Sequence, residues 1–509
     1  MKYARLLLAA CTALVIVGCN GKADSDSDHL VILHTNDTHS AIEPDAKGLG
    51  GIARRQVLID SVRAARANVV LIDAGDAVQG SLYYTLFSGE VERRLMNELG
   101  YDIQILGNHE FDKGLDRLAA EWSQLNASRL SANYDFSATP LAGLFTPSVV
   151  KEFNGHKVGF IGINLDPSGI ISEANYEGVS YSEAIEAANA EAARLKAQGV
   201  TTVIAVTHIG YDLDHGASDL KLAAASKDID VIIGGHSHTV VDPADTRQGV
   251  PGWKVANAVG DTIAVLQTGS GGQNLGEIDI NLATGKVAAR LIPVDARLDS
   301  RTLSATNEII ARYKTSVDSM RGIIVGRSPV EFERKSPEML NLMSDFVFEA
   351  GSDLLGKPVD LAIMNKGGIR NTLFAGDVTK GEIIDIAPFD NTIVMLAIKG
   401  SDLLENFGIM AAQEGNGVSS NVRVAYDPAS YAVTSATISG RPVDPNATYR
   451  LATIDYLAAG NDYMEPLKRA PRLTESSDKL YIELIKRFEA GKMDHLTAAP
   501  DKTIRMSAQ

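Results

Sequence analysis

Histidines are concentrated in the first half of the chain, where they follow short apolar runs. Nine of the ten histidines lie between residues 29 and 238. Five of them follow apolar runs directly, together with two aspartates and an asparagine, and the full set is Asp37, His39, Asp76, Asn108, His109, His208, His236 and His238. Imidazole, carboxylate and amide groups form a mixed nitrogen and oxygen ligand set, which suits Zn, Mn, Fe or Co and suits Ca poorly. The set contains no thiolate, which argues against a structural zinc site.

Seven of these side chains are candidate metal ligands, more than one four-coordinate ion can use: Asp37, His39, Asp76, Asn108, His208, His236 and His238. Two divalent ions about 3.5–4 Å apart, sharing one carboxylate, would use them all. Asp37 and Asp76 balance only two of the four positive charges, so neutral Asn108 and the imidazoles leave a site that attracts phosphate. Asp37 and His39 are two residues apart, as are His236 and His238, and extended backbone would direct both members of a pair to one side.

The surrounding sequence alternates short apolar runs with amphipathic stretches, which is typical of an α/β fold. Strands are predicted over 30–37, 68–76, 156–164, 201–210 and 228–238, and helices over 51–67, 91–100 and 181–198. In α/β sheets, ligand sites lie at the carboxyl ends of strands, where the candidate ligands fall. We expect a catalytic α/β domain over 30–300, a mostly polar connector helix over 301–325, and a second α/β domain over 326–509.

The length of 509 residues and the formal charge of −16 set further limits. A chain of this length is expected to form more than one domain, and its negative charge argues against binding a nucleic-acid polymer. Residues 1–18 have the basic start and apolar run of a signal segment, and the sequence up to Cys19 resembles a bacterial lipobox. That resemblance implies an exported protein lipidated on Cys19, with a flexible tether over 19–29, and located at the outer membrane in a Gram-negative host. A plain secretory signal is the alternative.

The motifs NDTH (36–39), GD (75–76), GNHEFD (107–112), TH (207–208) and GGHSH (234–238) resemble the signature of the calcineurin-like metallophosphoesterases, in their 5′-nucleotidase branch. The resemblance implies an N-terminal α/β/β/α sandwich, a helical connector and a C-terminal α/β substrate-binding domain. It assigns the first ion to Asp37, His39, Asp76 and His238, and the second to Asp76, Asn108, His208 and His236. The ions would be Zn, Mn, Co or Mg.

The same resemblance implies that His109 and Asp112 form a catalytic dyad beside the metals. Adjacent residues at a strand end tend to diverge, so His109 is free to approach the phosphate while Asn108 binds metal. Asp112 can hold the other ring nitrogen and keep His109 protonated near neutral pH. Glu110 is expected to face away from the site.

The second half of the chain carries matching substrate motifs. AIMNKGGIRN (362–371) resembles the family's glycine-rich loop and implies substrate contacts from Asn365 and Arg370, although Lys366 replaces one glycine. The resemblance further implies that Phe389 and Tyr456 stack on the base and that Asp462 binds the ribose. A further substrate arginine of the family falls on Glu333 here, with Arg334 next to it, so the role of Arg334 stays open.

These residues predict metal-dependent hydrolysis of nucleoside 5′-phosphates to nucleoside and phosphate, for extracytoplasmic nucleotide salvage. Two alternatives share the metal core, a 2′,3′-cyclic nucleotide phosphodiesterase and a UDP-sugar hydrolase, and the sequence does not separate them. A non-catalytic nucleotide-binding surface protein is an alternative of another class. Loss of a metal ligand or of His109 would favour it, and the sequence retains all of them.

Overall fold

The computed structural model describes residues 26–45, 47–213, 216–413 and 415–509. The predicted signal segment and the lipidation site at Cys19 lie outside the described residues, as does most of the predicted tether. Within the described residues, no helix is long and apolar enough to cross a membrane.

The first part of the chain consists of short strands and helices that alternate. Its strands are, in chain order, β1 (His29–Thr35), β2 (Val69–Asp73), β3 (Ile103–Ile105), β4 (Ser128–Leu130), β5 (Tyr134–Asp135), β6 (Ser148–Phe153), β7 (His156–Asn164), β8 (Ser180–Tyr181), β9 (Thr202–His208), β10 (Val231–Ile233), β11 (Lys254–Ala256), β12 (Thr262–Leu266), β13 (Asn274–Asn281) and β14 (Lys286–Pro293). Its helices are α1 (Ile52–Ala65), α2 (Leu82–Phe87), α3 (Glu90–Leu99), α4 (Gly114–Trp122), α5 (Ala184–Ala197) and α6 (Asp219–Ala225). Short 3-10 helices lie at Asp26–Asp28, His109–Phe111, Glu173–Asn175 and Ala296–Arg301.

These strands form two six-stranded sheets and one small two-stranded sheet of β5 and β8. The first sheet has the order β14-β13-β1-β2-β3-β4, and the second has the order β11-β12-β10-β9-β7-β6. Strands β1 to β4 run parallel to one another, as do β7, β9, β10 and β12. The carboxyl ends of the parallel strands in each sheet therefore lie at a single edge of that sheet.

Strand β1 shows how the layers are packed, because its side chains alternate between two cores. Leu30 and Ile32 lie in a hydrophobic core shared with strands of the second sheet. Val31 and Leu33 lie in another core, together with residues of α1 and α3. Strand β1 is therefore buried on both faces, between the second sheet and the helices. The predicted α/β/β/α sandwich is confirmed.

The second part begins with helix α7 (Ser304–Arg321) and forms a further α/β unit. Its strands are β15 (Ile324–Ser328), β16 (Leu361–Met364), β17 (Gly376–Thr379), β18 (Thr392–Lys399), β19 (Gly417–Val418), β20 (Val422–Tyr426), β21 (Val433–Ile438), β22 (Arg441–Pro442), β23 (Thr448–Ile454), β24 (Arg472–Lys479) and β25 (Met506–Ala508). Its remaining helices are α8 (Pro337–Leu355), α9 (Lys380–Ile386), α10 (Gly400–Ala412), α11 (Asp455–Ala458), α12 (Glu465–Lys468), α13 (Leu480–Glu489) and α14 (Asp494–Thr497). The central sheet has the order β19-β16-β23-β18-β24, beside a sheet of order β22-β21-β20-β25 and the pair β15-β17.

Helix α7 lies against the first part of the chain. Its sequence is mostly polar, but one side of the helix is apolar and buried. Tyr313 and Val317 are buried in a core that contains residues of both parts. The Tyr313 hydroxyl donates a hydrogen bond to Glu90 Oε1 at 2.7 Å. Glu43 accepts from Lys314 Nζ and from Arg321 Nη1, both at 2.6 Å. These contacts tie the helix to the catalytic side of the molecule.

Candidate active site

Two adjacent loops carry the aspartates of the site. Asp37 follows β1 and Asp76 follows β2, and the two strands are parallel neighbours in the first sheet. Backbone hydrogen bonds join the loops: Asp37 N–H donates to Gly75 O at 2.9 Å, and His39 N–H donates to Asp76 O at 3.0 Å. The two carboxylates are therefore held by backbone contacts beyond the sheet edge.

The backbone at the metal-site residues is not extended. The expectation that extended backbone directs Asp37 and His39, or His236 and His238, to one side is therefore wrong. Five of the candidate ligands have left-handed φ angles, namely Asp37 (49°), His39 (47°), Asp76 (53°), His236 (78°) and His238 (55°). Such conformations cost about 1–3 kcal/mol each in non-glycine residues and persist where the surrounding structure holds them. The side chains still converge, because tight loops rather than strand geometry direct them.

One group of donors is formed by His39, His238 and Asp37. The Nε2 atoms of His39 and His238 are 2.9 Å apart, although they come from loops of different sheets. Asp37 Oδ1 lies 3.3 Å from His238 Nε2 and 3.9 Å from His39 Nε2. Two imidazole nitrogens and one carboxylate oxygen therefore face a common volume, as in the ligand set predicted for the first ion.

A second group lies next to the first and contains His208, Asp76, Asn108 and His236. Asp76 Oδ2 is 3.2 Å from His208 Nε2, and Asn108 Oδ1 is 2.9 Å from His236 Nδ1. His208 Nδ1 lies 2.7 Å from the carbonyl oxygen of Ala74, which only accepts, so Nδ1 carries the proton. This bond leaves His208 Nε2 unprotonated, with its lone pair available to a metal ion. Histidines that bind metals are usually oriented in this way.

The donor atoms fit two divalent metal ions. His208 Nε2, which lies beside Asp76, is buried without a hydrogen-bond partner among the described residues. The carboxylates of Asp37 and Asp76 lie within 4.8 Å of His208 Nε2 and of each other, so both adjoin the two groups. When bound there, divalent ions would polarise a phosphoryl oxygen and lower the pKa of an attacking water. The site residues themselves supply the geometry and the remaining charge.

His109 lies beside the metal ligands and contacts Asp112, as the sequence predicts. Its Nδ1 is 3.0 Å from Asp112 Oδ2, and its backbone N–H donates to Asp76 Oδ1 at 2.8 Å. Burial opposes a charge on the ring, but Asp112 and then Asp76 raise the pKa of His109 above its ordinary value. His109 also lies within ligating distance of His39 and Asp76, so its assignment to the substrate rather than to a metal stays a prediction.

The contact between Asp112 and His109 predicts a change in pH dependence. A protonated His109 is present below its pKa and is lost as the pH rises through that value. Because Asp112 raises this pKa, we expect Asp112→Asn to move the basic limb of the kcat/KM profile to lower pH. Measured profiles that coincide on the basic side would show that His109 is not the titrating acid.

Glu110 is buried and structural, which corrects the expectation that it faces away. Its carboxylate accepts from the backbone N–H groups of Gly107 at 2.7 Å, Asp76 at 3.0 Å and Ala77 at 3.1 Å. It also accepts from Arg93 Nη2 at 3.1 Å. Glu110 therefore fixes the Asp76 loop to the Asn108 loop. Arg93 is itself buried on α3, so the two charges pair within the protein.

We expect Glu110→Gln to lower the free energy of unfolding by about 3 kcal/mol, the usual cost of breaking a buried ion pair from one side. The amide would also place a donor against backbone N–H groups. Urea unfolding measures the change, with Glu98→Gln on the exposed face of α3 as the control. Equal losses in the two variants would show that the Glu110 contacts contribute nothing to stability.

Two glycines are required by close approach rather than by backbone angle. A Cβ on Gly107 would lie 2.1 Å from Asp76 Oδ1, and a Cβ on Gly235 would lie 2.7 Å from His208 Nδ1. Any side chain at these positions would displace a candidate ligand. The glycines of GNHEFD and GGHSH are therefore part of the site, a role that sequence analysis did not assign.

The predicted substrate residues line one cavity with the metal-site residues. The cavity has a volume of about 590 Å³ and is lined by Asn365, Arg370, Phe389, Tyr456 and Asp462 from the second part of the chain. Asn108, His109 and His236 line the same cavity from the first part. A single molecule can therefore contact both sets of residues at once.

Arg370 and Phe389 lie at the metal end of this cavity. Arg370 Nη2 is 3.2 Å from His39 Nε2, and the guanidinium carbon is 5.9 Å from the centre of the Phe389 ring. The Phe389 ring is 5.6 Å from the His109 ring, with 35° between their planes. A guanidinium at this position suits an anion bound beside the metals.

Asp462 and Tyr456 are joined by hydrogen bonds at the other end. The carboxylate of Asp462 accepts from Asn365 Nδ2 at 2.7 Å and from the Tyr456 hydroxyl at 3.0 Å. The Tyr456 hydroxyl also lies 2.9 Å from the carbonyl oxygen of Ile170. Burial raises the pKa of Asp462. The ribose contact predicted for this carboxylate would therefore compete with bonds inside the protein.

Arg334, whose role the sequence left open, is near Arg370. Burial and then the charge of Arg370 lower the pKa of Arg334 to about 10. Its Nε is buried without a hydrogen-bond partner among the described residues, whereas Glu333 is exposed. The unpaired guanidinium nitrogen makes Arg334 a stronger candidate for an anion contact than Glu333.

Comparison with known proteins places this site in a known family. A family model for calcineurin-like phosphoesterases matches residues 30–240, and one for the 5′-nucleotidase C-terminal domain matches residues 324–469. Protein UshA of Yersinia enterocolitica is 28% identical over 515 residues, covering 91% of this chain and 92% of UshA. The trifunctional nucleotide phosphoesterase protein YfkN of Bacillus subtilis is 27% identical over 492 residues, which span 85% of this chain but 32% of YfkN.

A solved structure has a similar fold over most of the chain. The 5′-nucleotidase precursor from Thermus thermophilus is 27% identical, has a TM-score of 0.84, and is matched over 94% of this chain and 99% of its own. The fold and the site together define a metal-dependent phosphoester hydrolase. The chain belongs to the 5′-nucleotidase family, with an N-terminal calcineurin-like phosphoesterase domain and a 5′-nucleotidase C-terminal domain.

Proposed function

We propose that the protein hydrolyses nucleoside 5′-phosphates to nucleoside and phosphate. One observation carries the proposal: a single cavity joins the metal ligands to the aromatic and acidic residues predicted for a nucleoside. The phosphate end is marked by Arg370 against His39, and the nucleoside end by Tyr456 against Asp462. The names of the relatives, 5′-nucleotidase and nucleotide phosphoesterase, support the same substrate class.

In the proposed reaction, water attacks phosphorus and the nucleoside oxygen leaves. Protonated His109 stabilises the charge that develops on the phosphoryl group, and Asp112 keeps its ring oriented and charged. Arg370 binds a phosphoryl oxygen, and Arg334 adds positive charge behind it. Phe389 and Tyr456 hold the base, and Asp462 with Asn365 holds the ribose.

A second candidate is the hydrolysis of other nucleotide esters at the same metals. The name of YfkN, a trifunctional nucleotide phosphoesterase, favours a site that takes more than one kind of ester. Turnover of AMP, UDP-glucose and 2′,3′-cyclic AMP, measured with Zn, Mn, Co and Mg, separates the candidates. The proposal requires AMP to have the highest kcat/KM, and it fails when one of the other two esters does.

Phe389→Ala tests whether the predicted stacking of Phe389 on the base contributes to this preference. We expect kcat/KM for AMP to fall about 10- to 100-fold, since stacking of one base on one ring is worth about 1–3 kcal/mol. Glycerol 3-phosphate has no base, so its hydrolysis is the control and should change little. Equal losses with both substrates would mean that Phe389 acts on the phosphate rather than on the base.

We also propose that the protein is exported and carries a lipid on Cys19. The support is the basic start, the apolar run and the small residues that precede Cys19. In cell fractions, Cys19→Ser should move the protein from the membrane to the soluble exported fraction. Retention of this variant in the membrane would exclude the lipid as its anchor.

A further inference from the structure

Gln79 is a buried side chain at the phosphate end of the cavity and is absent from every predicted ligand set. It lies three residues after Asp76 and is 1% exposed. Both its Nε2 and its Oε1 are buried without a hydrogen-bond partner among the described residues. It nevertheless lines the cavity together with Asn108, His109 and Arg370.

The surroundings place Gln79 near the metals rather than near the nucleoside. The Asp76 loop runs alongside the Asp37 loop through the bonds from His39 N–H to Asp76 O and from Ser40 N–H to Ala77 O. At the next residue, a Cβ on Gly80 would lie 3.0 Å from the carbonyl oxygen of His39. The backbone next to Gln79 therefore lies beside His39, whose ring is 3.2 Å from Arg370 Nη2.

The backbone at Gln79 shows that this side chain is kept at a cost to stability. Its φ of 69° is left-handed, a conformation that glycine adopts freely and that other residues adopt with strain. An unsatisfied buried amide is a second unfavourable feature. A glycine at this position would remove both. A bound group that satisfies the amide explains why a glutamine stands there.

We propose that Gln79 contacts the substrate phosphate and donates a hydrogen bond from Nε2 to a phosphoryl oxygen. Metal-site residues and Arg370 surround this part of the cavity, so an anion is the group that they recognise together. An amide donor adds a bond without adding charge and does not compete for a metal as a carboxylate would. The inference rests on the proposed phosphoester hydrolysis and extends its phosphate-binding residues by one.

Gln104 provides a matched control within the same chain. It is also 1% exposed, and both of its amide atoms also lack partners among the described residues. It lies in β3 and is not among the residues that line the cavity. Replacement of either glutamine by methionine removes a buried amide of the same length. Only the variant at residue 79 should affect a bound phosphate.

The test compares Gln79→Met with Gln104→Met in the metal-loaded protein. We expect Gln79→Met to weaken the binding of inorganic phosphate, measured by calorimetry, and to lower kcat/KM for AMP, each by about 10- to 100-fold, the size of one hydrogen bond to a charged group. Metal content should stay unchanged, and Gln104→Met should match the wild type in phosphate binding. Phosphate affinity of Gln79→Met within twofold of the wild type would overturn the inference, as would loss of metal.

A third variant separates substrate binding from a structural role. Gln79→Gly suits the left-handed backbone, so its Tm should equal or exceed that of the wild type while phosphate binding falls as in Gln79→Met. A lowered Tm with unchanged phosphate binding would assign Gln79 to the fold instead. Because phosphate binding is measured directly, the inference stands or falls even if AMP proves a poor substrate, which would contradict the proposed function alone.

Discussion

His109→Ala is expected to lower the turnover of AMP by about 100- to 1000-fold, the usual effect of removing one group that stabilises transition-state charge. Metal content is expected to stay at the wild-type value. In the structure, the backbone N–H of His109 binds Asp76 Oδ1, and this bond survives truncation of the side chain. The ring itself contacts Asp112 and lines the cavity, and neither predicted ligand set includes it.

The control for this variant is Asn108→Ala at the neighbouring residue. Asn108 Oδ1 lies 2.9 Å from His236 Nδ1, inside the second donor group, so its loss should reduce metal content as well as turnover. Metal analysis of both purified variants, together with AMP hydrolysis, distinguishes the roles. If His109→Ala loses metal, or keeps wild-type turnover, the catalytic assignment of His109 is wrong.

Asp76→Asn is expected to abolish both metal binding and turnover, because Asp76 adjoins the two donor groups. Its Oδ2 is 3.2 Å from His208 Nε2, and its Oδ1 accepts from His109 N–H. Asparagine has nearly the same shape as aspartate but no negative charge. Its NH2 group would also face hydrogen-bond donors or metal ions that the carboxylate oxygens accept from or bind. Loss of a residue outside the ligand set already weakens metal binding by about 10- to 100-fold, so the loss here should be larger.

Asp73→Asn is the matched control for this loss. Asp73 is buried at the end of the same strand, but its carboxylate binds Thr35 Oγ1 at 2.7 Å and Gly75 N–H at 3.1 Å rather than a histidine. Burial raises its pKa to about 7, so the neutral replacement changes little. Elemental analysis should find the wild-type metal content in Asp73→Asn. Equal metal in both variants would contradict the role of Asp76.

The α/β class was readable from sequence because short apolar runs and amphipathic stretches are local patterns, whereas the order of the layers came from the family resemblance. The runs at 30–37 and 156–164 became β1 and β7, and polar residues after such runs had to meet at sheet edges. The loop conformations that bring these side chains together could not be predicted from the sequence. The left-handed backbone of Asp37 and His39 depends on hydrogen bonds to the Asp76 loop, which follows a different strand and lies beyond helix α1 along the chain.

The roles of Glu110 and Gln79 could not be predicted from the sequence either, because they depend on residues that are distant along the chain. Glu110 was given no role because its partners are backbone N–H groups, which no residue type reveals. Gln79 stands beside a recognised motif, but only burial without a partner distinguishes it from an ordinary polar loop residue. Metal ligands were easier to predict because imidazole and carboxylate groups bind metal ions directly, so the residue type alone indicates the role.

The most direct test of the account is a metal titration of the metal-free protein. The chelated protein is supplied with increasing equivalents of Mn²⁺, and AMP turnover is followed at each step. Two adjacent groups of candidate ligands predict that turnover is absent without metal, rises with added ion and levels off at two ions per chain. Full turnover at one ion per chain, or turnover that survives chelation, would contradict two-metal hydrolysis.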